Sequence, residues 1–181
     1  MSSILNKQHR VWLGLGSNLG DSQRILQQAW HDLGKDEGVN LIVLSLPYVT
    51  EPVGMESCNL FLNAVGLLET EHTPELFLAF LQQVEKGFGR ASKTGQNGYQ
   101  DRLLDLDILY YDDYVLNTDT LLLPHPHIAK RLFVLAPLSE IDPLHFDPCT
   151  GQTAESMHKE LLQNMAAGKI ASQTIKPVCW V

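Results

Sequence analysis

Two aspartates in one short apolar segment are the residues best suited to chemistry. Residues 101–111 have the alternating pattern of a β-strand, so Asp105 and Asp107 should point to the same face. The apolar side chains between them point to the opposite face, which must be core. Two adjacent carboxylates repel each other unless a cation lies between them, and Mg²⁺ prefers such oxygen ligands. The alternative is a solvated strand face with two acids of no function, because this short pattern is common.

The composition is that of an ordinary globular domain. The 181 residues are 44% hydrophobic and 19% charged, with a formal net charge of -8. A chain this acidic is a poor candidate for binding nucleic acid or an anionic membrane. No apolar run reaches the roughly 18 residues of a membrane span, and residues 1–10 lack the apolar core of a signal peptide. Three cysteines without a CxxC pair fit a reducing cytoplasm, which is the location we expect.

Basic residues are concentrated around the acid pair despite the overall acidity. Lys86, Arg90, Lys93 and Arg102 precede the two aspartates, and Arg131 follows them. A cationic patch beside an acidic metal site would suit the phosphates of a Mg–nucleotide. The glycine-rich turn within residues 14–21 lacks the GK[ST] and GxGxxG patterns. We therefore interpret it as a strand-to-helix connection, with direct substrate contact as the alternative.

The remaining pattern predicts a single α+β domain over residues 1–181. Short apolar strands are interspersed with amphipathic helices, and neither a repeat nor a linker divides the chain. The helix that follows Thr73 should bury Leu76, Phe80 and Val84. Another helix is expected over residues 128–141. Residues 89–100 have few large apolar side chains, which predicts a mobile loop.

Four separated segments resemble the folate-pathway enzyme family of 6-hydroxymethyl-7,8-dihydropterin pyrophosphokinases. The resemblance covers about residues 11–143, and residues 144–181 would form a C-terminal extension packed on that part. The segments, in the order and spacing of the family, are GLGSNLGD at 14–21, YVTEPVG at 48–54 with FLNAV at 61–65, RLLDLDIL at 102–109, and LPHPH at 123–127 with RLFVLAPL at 131–138.

The resemblance implies a three-layer α-β-α sandwich with a ferredoxin-like core and a mostly antiparallel sheet. It also implies transfer of the β,γ-pyrophosphoryl group of ATP to the pterin hydroxymethyl oxygen, with AMP as the other product. Asp105 and Asp107 match the family's ligands of two Mg²⁺ ions, and Arg90 and Arg102 match catalytic arginines. The implied partners are ATP and the pterin, bound by a monomer.

The substrate contacts are likewise implied residue by residue. Phe61 and Phe133 match the aromatic side chains that sandwich the pterin ring, and stacking suits a flat heterocycle. Three further matching positions would bind the edge of the pterin, and six matching positions would bind ATP. The pterin set is Thr50, Val53 and Asn63, and the ATP set is Gln82, Glu85, Lys93, Arg102, His125 and Arg131.

The chain departs from the family pattern between the two arginines. The family has a second arginine two positions after Arg90, and Trp-Gly-Pro before the arginine of the acid strand. This chain has Ser92 followed by Lys93, then Tyr99 and Gln100–Asp101. Lys93 and Tyr99 are the candidate replacements for the arginine and the tryptophan.

Two other classes of protein fit part of this pattern. A Mg²⁺-dependent phosphohydrolase could use the same two aspartates without a pterin. A non-catalytic nucleotide-binding relative could retain the fold, and the altered loop is the feature that would support it. The nucleotide product formed with and without the pterin distinguishes the three classes.

Overall fold

The computed structural model of the chain describes residues 7–52, 57–89 and 101–181. Within that part, no helix is long and apolar enough to cross a membrane. The strands are β1 (His9–Ser17), β2 (Val39–Leu44), β3 (Tyr48–Thr50), β4 (Phe61–Thr70), β5 (Asp105–Tyr111), β6 (Leu116–Asn117), β7 (Leu122–Leu123) and β8 (Ile175–Pro177). The helices are α1 (Ser22–Leu33), α2 (Pro74–Gly87), α3 (Leu132–Ile141) and α4 (Ala154–Ala166), with a 3₁₀ turn at Ile128–Lys130.

The main sheet has the strand order β5-β1-β4-β3-β8, and β2 pairs with β4 beside β3. Every pairing among the described strands is antiparallel. Elements β1 to β5 with α1 and α2 follow the β-α-β-β-α-β order of a ferredoxin-like unit when β2 and β3, which both pair with β4, are counted as one interrupted strand. This confirms the expected α+β class and its antiparallel sheet. The small β6–β7 hairpin lies outside the main sheet.

Hydrophobic cores lie on both faces of the sheet, which gives three layers. On one face, α1 and α2 pack through side chains such as Leu26 and Phe77 against Leu13 of β1. On the other face, α3 and α4 pack through Leu135 and Met157. Residues 144–181 contribute to the second layer through α4 and to the sheet through β8, which pairs with β3.

Helix α2 begins as its sequence predicts but buries a different face. Thr73 caps it by accepting a hydrogen bond from the backbone N–H of Leu76, and Pro74 occupies the first turn. The buried residues of α2 include Phe77, Leu81 and Glu85. Leu76 is 59% exposed, so its predicted burial is wrong, whereas Phe80 and Val84 are partly buried and pack against the core. Two adjacent rows of apolar side chains run along the helix, one beginning at Leu76 and the other at Phe77. The sheet covers the second row, which ends in Glu85.

The helix expected over residues 128–141 is interrupted at one position. A 3₁₀ turn ends at Lys130, and Arg131 has an extended backbone with φ −115° and ψ 107°. Helix α3 then begins at Leu132. The interruption places Arg131 and Phe133 at the amino-terminal end of α3, where both line a pocket against the sheet.

Candidate active site

The floor of the first pocket is formed by three adjacent strands, β5, β1 and β4. In the register of the sheet, Gly16 of β1 lies between Asn63 of β4 and Asp105 of β5. Two residues earlier, Gly14 lies between Val65 and Asp107 in the same way. All of these side chains project from the face that α3 covers. The pocket of about 740 Å³, including the solvent at its mouth, therefore lies between the sheet and the start of α3.

The two strand glycines create the space above this floor. A Cβ atom at residue 16 would lie 3.1 Å from Oδ1 of Asn63, and one at residue 14 would lie 3.4 Å from Cδ2 of Leu109. Reasoning from the sequence missed this role. The available signal was the spacing of the two glycines, since positions two apart on a strand share a face.

One wall of the pocket carries polar groups beside aromatic rings. Asn63 is buried, and its amide Nδ2 donates a hydrogen bond of 2.9 Å to Oγ1 of Thr50. Phe61 and Phe133 line the pocket with them. The guanidinium of Arg131 lies 5.6 Å from the centre of the Phe133 ring. The wall can bind a flat heterocycle by stacking and by hydrogen bonds along one edge.

The two aspartates occupy the opposite wall, as the strand pattern predicts. Leu106 and Ile108 are buried in the core beneath α2, and Asp105 and Asp107 line the pocket on the other face. Nη1 of Arg102 donates a hydrogen bond of 2.5 Å to Oδ2 of Asp105. Burial, followed by the charge of Asp105, raises the pKa of Asp107 to about 6. Ionising Asp107 beside the charged Asp105 therefore costs free energy unless a cation binds between them.

Glu85 holds the strand backbone between the two aspartates. Its carboxylate is 4% exposed and accepts a hydrogen bond of 2.9 Å from the backbone N–H of Leu106. By pattern alone Glu85 resembles a surface residue of α2, and the structure corrects that interpretation. Its charge also contributes to the raised pKa of Asp107.

The donor set fits Mg²⁺ bound together with phosphates. The described residues contain no cluster of three or more histidine, cysteine or acidic side chains that could hold a metal alone. Two carboxylates on one face can bind a hard divalent cation when phosphate oxygens and water supply its remaining ligands. Asp105 and Asp107 are the residues that would hold it.

A second pocket lies along β5, between α2 and residues 118–126. Gln82 and Glu85 of α2 line it together with His125 and Asp107. Asp107 thus lines both pockets, and it lies at their junction. This arrangement allows two ligands to approach one carboxylate from different sides.

His125 is held in place as a neutral imidazole. Its backbone N–H donates to the carbonyl of Leu109 in β5, at 2.9 Å, and its Nδ1 accepts from the backbone N–H of His127, at 3.2 Å. Burial, and to a smaller extent the charge of Arg131, lower its pKa to about 4. At neutral pH His125 therefore contributes hydrogen bonds to the second pocket rather than a positive charge.

The structure assembles most of the residues predicted for the site. The first pocket contains Thr50, Phe61, Asn63, Arg102, Asp105, Asp107, Arg131 and Phe133. The second contains Gln82, Glu85, His125 and again Asp107. Arg131, expected on the nucleotide side, lies in the first pocket beside Phe133. Four predicted residues, Val53, Arg90, Lys93 and Tyr99, lie outside the described residues, as do positions 90–100 of the loop predicted over residues 89–100.

The sequence assigns the class of this protein, a pterin pyrophosphokinase domain. The sequence model of the family described as 7,8-dihydro-6-hydroxymethylpterin-pyrophosphokinase (HPPK) matches residues 12–143, well over half of the chain. The chain belongs to this family.

Individual relatives agree with this assignment. The chain is 42% identical over 134 residues to the 2-amino-4-hydroxy-6-hydroxymethyldihydropteridine pyrophosphokinase of Porphyromonas gingivalis, which covers 74% of this chain and 90% of that protein. The Aquifex aeolicus enzyme of the same name is 32% identical over 171 residues, covering 94% of this chain and 96% of its own. The second alignment therefore extends into residues 144–181.

Solved structures share the fold at low sequence identity. The HPPK-DHPS of Plasmodium falciparum with SDX-DHP superposes with a TM-score of 0.72 at 13% identity, covering 90% of this chain. The same protein with pteroate gives a TM-score of 0.74 at 14% identity. The chain spans about half of those longer chains, 46% in both cases.

Proposed function

We propose that this protein transfers the pyrophosphoryl group of ATP to the hydroxymethyl group of 6-hydroxymethyl-7,8-dihydropterin, a step of folate biosynthesis that yields AMP and the pterin diphosphate. The observation that carries the proposal is the position of Asp107 at the junction of two pockets. One pocket has the stacking and edge contacts that suit a pterin. The other has room for a nucleotide whose phosphates reach the acid pair.

The pterin would lie between the rings of Phe61 and Phe133. Asn63 and Thr50 already form a buried polar pair with donors and acceptors that match an aminopyrimidinone edge. Val53, which lies outside the described residues, remains a predicted contact of the same ring. In this pose the hydroxymethyl group would point along the floor toward Asp105.

The nucleotide would occupy the second pocket, with Gln82 and Glu85 on one side and His125 on the other. Arg102 and Arg131 would meet the triphosphate where it enters the first pocket, since guanidinium groups bind phosphate oxygens in pairs. Arg90 and Lys93 are proposed to add charge from the segment between α2 and β5. Two Mg²⁺ ions at Asp105 and Asp107 would neutralise the phosphates and lower the pKa of the attacking hydroxyl.

The test is an assay of nucleotide products. Purified protein is incubated with Mg-ATP, with and without hydroxymethyl-dihydropterin, and AMP, ADP and phosphate are separated by chromatography. We expect AMP that depends on the pterin. Phosphate release without the pterin would indicate a phosphohydrolase, and the absence of any product would indicate a non-catalytic relative.

Two variants and two further measurements accompany this test. Arg90→Ala should lower turnover, because it removes a proposed phosphate contact. The exposed turn residue Asp113 provides a control, since Asp113→Asn changes surface charge away from both pockets. Size-exclusion chromatography of the same preparation tests the expected monomer, and cell fractionation tests the expected cytoplasmic location.

A further inference from the structure

Asp101 joins two segments that are far apart in the sequence. Its Oδ1 accepts hydrogen bonds of 2.6 Å from Nδ2 of Asn18 and of 2.6 Å from Oγ of Ser57. Its Oδ2 accepts one of 2.7 Å from Nδ2 of Asn59. The bonds from Ser57, Asn18 and Asn59 lower the pKa of Asp101, so the carboxylate is charged at neutral pH.

Asn18 connects this carboxylate to the arginine beside the acid pair. Asn18 is buried, and its Oδ1 accepts a hydrogen bond of 2.6 Å from the backbone N–H of Arg102. Its own backbone N–H donates to the carbonyl of Arg102, at 3.0 Å. Both backbone groups of Arg102 are thus bound to one residue, while its guanidinium contacts Asp105.

The other two donors, Ser57 and Asn59, lie in the segment that leads into β4. Ser57 and Asn59 precede β4 by a few residues, and β4 begins at Phe61 and contains Asn63. Oγ of Ser57 also accepts a hydrogen bond of 3.0 Å from the backbone N–H of Asn59, which gives this short segment a defined shape. Asp101 therefore connects the wall with the aromatic and amide groups to the wall with the acids.

We propose that Asp101 is a positioning residue that fixes Arg102 and the start of β4 relative to each other across the mouth of the first pocket. The inference rests on the proposed function, because the distance that Asp101 fixes separates the pterin from the phosphates.

The test compares Asp101→Ala with the control Asp113→Ala, which removes the same charge from an exposed turn. We expect kcat/KM for the pterin to fall by roughly tenfold in Asp101→Ala, mainly through kcat, because misplacing Arg102 weakens transition-state contacts. The affinity for Mg-ATP should fall less than kcat does, and the unfolding midpoint should stay close to wild type, since Asp101 is exposed. Asp113→Ala should leave all of these values unchanged.

Two further variants separate positioning from a general loss of structure. Asp101→Asn keeps one acceptor but presents donors to Asn59, so its activity should lie between wild type and Asp101→Ala. In the double variant Asn18→Ala/Asp101→Ala, the loss should be smaller than the product of the two single losses, because both act through Arg102. If the two fold-losses in kcat/KM simply multiplied, the two residues would act independently, and the proposed common action through Arg102 would be contradicted.

Amide hydrogen exchange gives a readout that does not depend on turnover. The backbone N–H of Arg102 should exchange faster in Asp101→Ala than in wild type, because its acceptor Asn18 loses an anchor. Unchanged exchange at Arg102, or a kcat/KM equal to that of Asp113→Ala, would overturn the proposal. A wild type that forms no AMP would instead contradict the proposed function, and the exchange result would then decide on Asp101 alone.

Discussion

Removing the charge of Asp107 should stabilise the metal-free protein. The side chain lies in the pocket wall across from Gly14, two positions from Asp105. Its pKa is raised from 3.8 to about 6, first by burial and then by the charge of Asp105. A shift of about two units corresponds to about 3 kcal/mol of unfolding free energy. We treat that figure as a ceiling, because water entering the pocket screens the charges.

The direction of the pH dependence follows from the raised pKa. The folded protein binds the proton of Asp107 more tightly than the unfolded chain does, so deprotonation lowers the free energy of unfolding. This loss of unfolding free energy is absent below about pH 4, where Asp107 is protonated in both the folded and the unfolded protein. It is complete above about pH 6. Asp107→Asn cannot ionise and should therefore raise the unfolding free energy by about 1 to 3 kcal/mol at pH 8, with little effect at pH 4.

Thermal and urea unfolding in the presence of a chelator measure this difference. For a chain of this length, each 1 kcal/mol should raise the melting temperature by about 2 to 4 °C. Mg-ATP should stabilise wild type more than Asp107→Asn, because ligand binding adds to stability only where the site is intact. The turnover of Asp107→Asn should fall by far more than tenfold. A tenfold fall corresponds to about 1.4 kcal/mol of activation free energy.

Asp113→Asn is the matched control, since it removes the same charge from an exposed turn. The reasoning would be refuted if both variants gained equal stability at pH 8, or if the gain of Asp107→Asn were the same at pH 4 and pH 8. Turnover of Asp107→Asn within about tenfold of wild type would remove Asp107 from the proposed metal site.

Five other variants test three separate parts of the site. Asn63→Ala and Phe133→Ala should weaken pterin binding by about tenfold or more and leave ATP binding nearly unchanged; calorimetric titrations showing equal losses for both ligands would assign them to the core. Gly16→Ala should raise the pterin KM with little change in ATP affinity, because its Cβ would lie 3.1 Å from Oδ1 of Asn63; an unchanged KM would show that the floor has spare room. Glu85→Ala should cost about 1 to 3 kcal/mol in urea unfolding by leaving the N–H of Leu106 without its buried acceptor, whereas Glu85→Gln should cost less, and equal costs would disprove that role.

Local patterns predicted the acid strand well because its two faces differ sharply in polarity. Leu106 and Ile108 are buried, and the aspartates between and beside them line a pocket, as period-two alternation requires. The capped start of α2 at Thr73 was equally readable, since the signal lies within four residues. In both cases the deciding interactions are local.

The failures concern partners that are distant in the sequence. Leu76 and Phe77 begin two adjacent apolar rows of α2, and only the packing of the sheet decides which row is buried. Glu85 ends the buried row because its carboxylate accepts a hydrogen bond from the backbone N–H of Leu106, 21 residues away. The proposed role of Asp101 likewise depends on donors that lie 44 and 83 residues away in the sequence.

The position of β5 explains why the proposed chemistry occurs where it does. Among the described strands β5 ends the sheet and pairs with β1 alone, so its other side is open to the second pocket. On its paired side, glycines opposite the acids leave the first pocket open above the sheet. An acid pair on a central strand between large side chains could be approached from one face at most. The edge strand and the two glycines together let one carboxylate, Asp107, line both pockets, which the proposed direct transfer between two bound ligands requires.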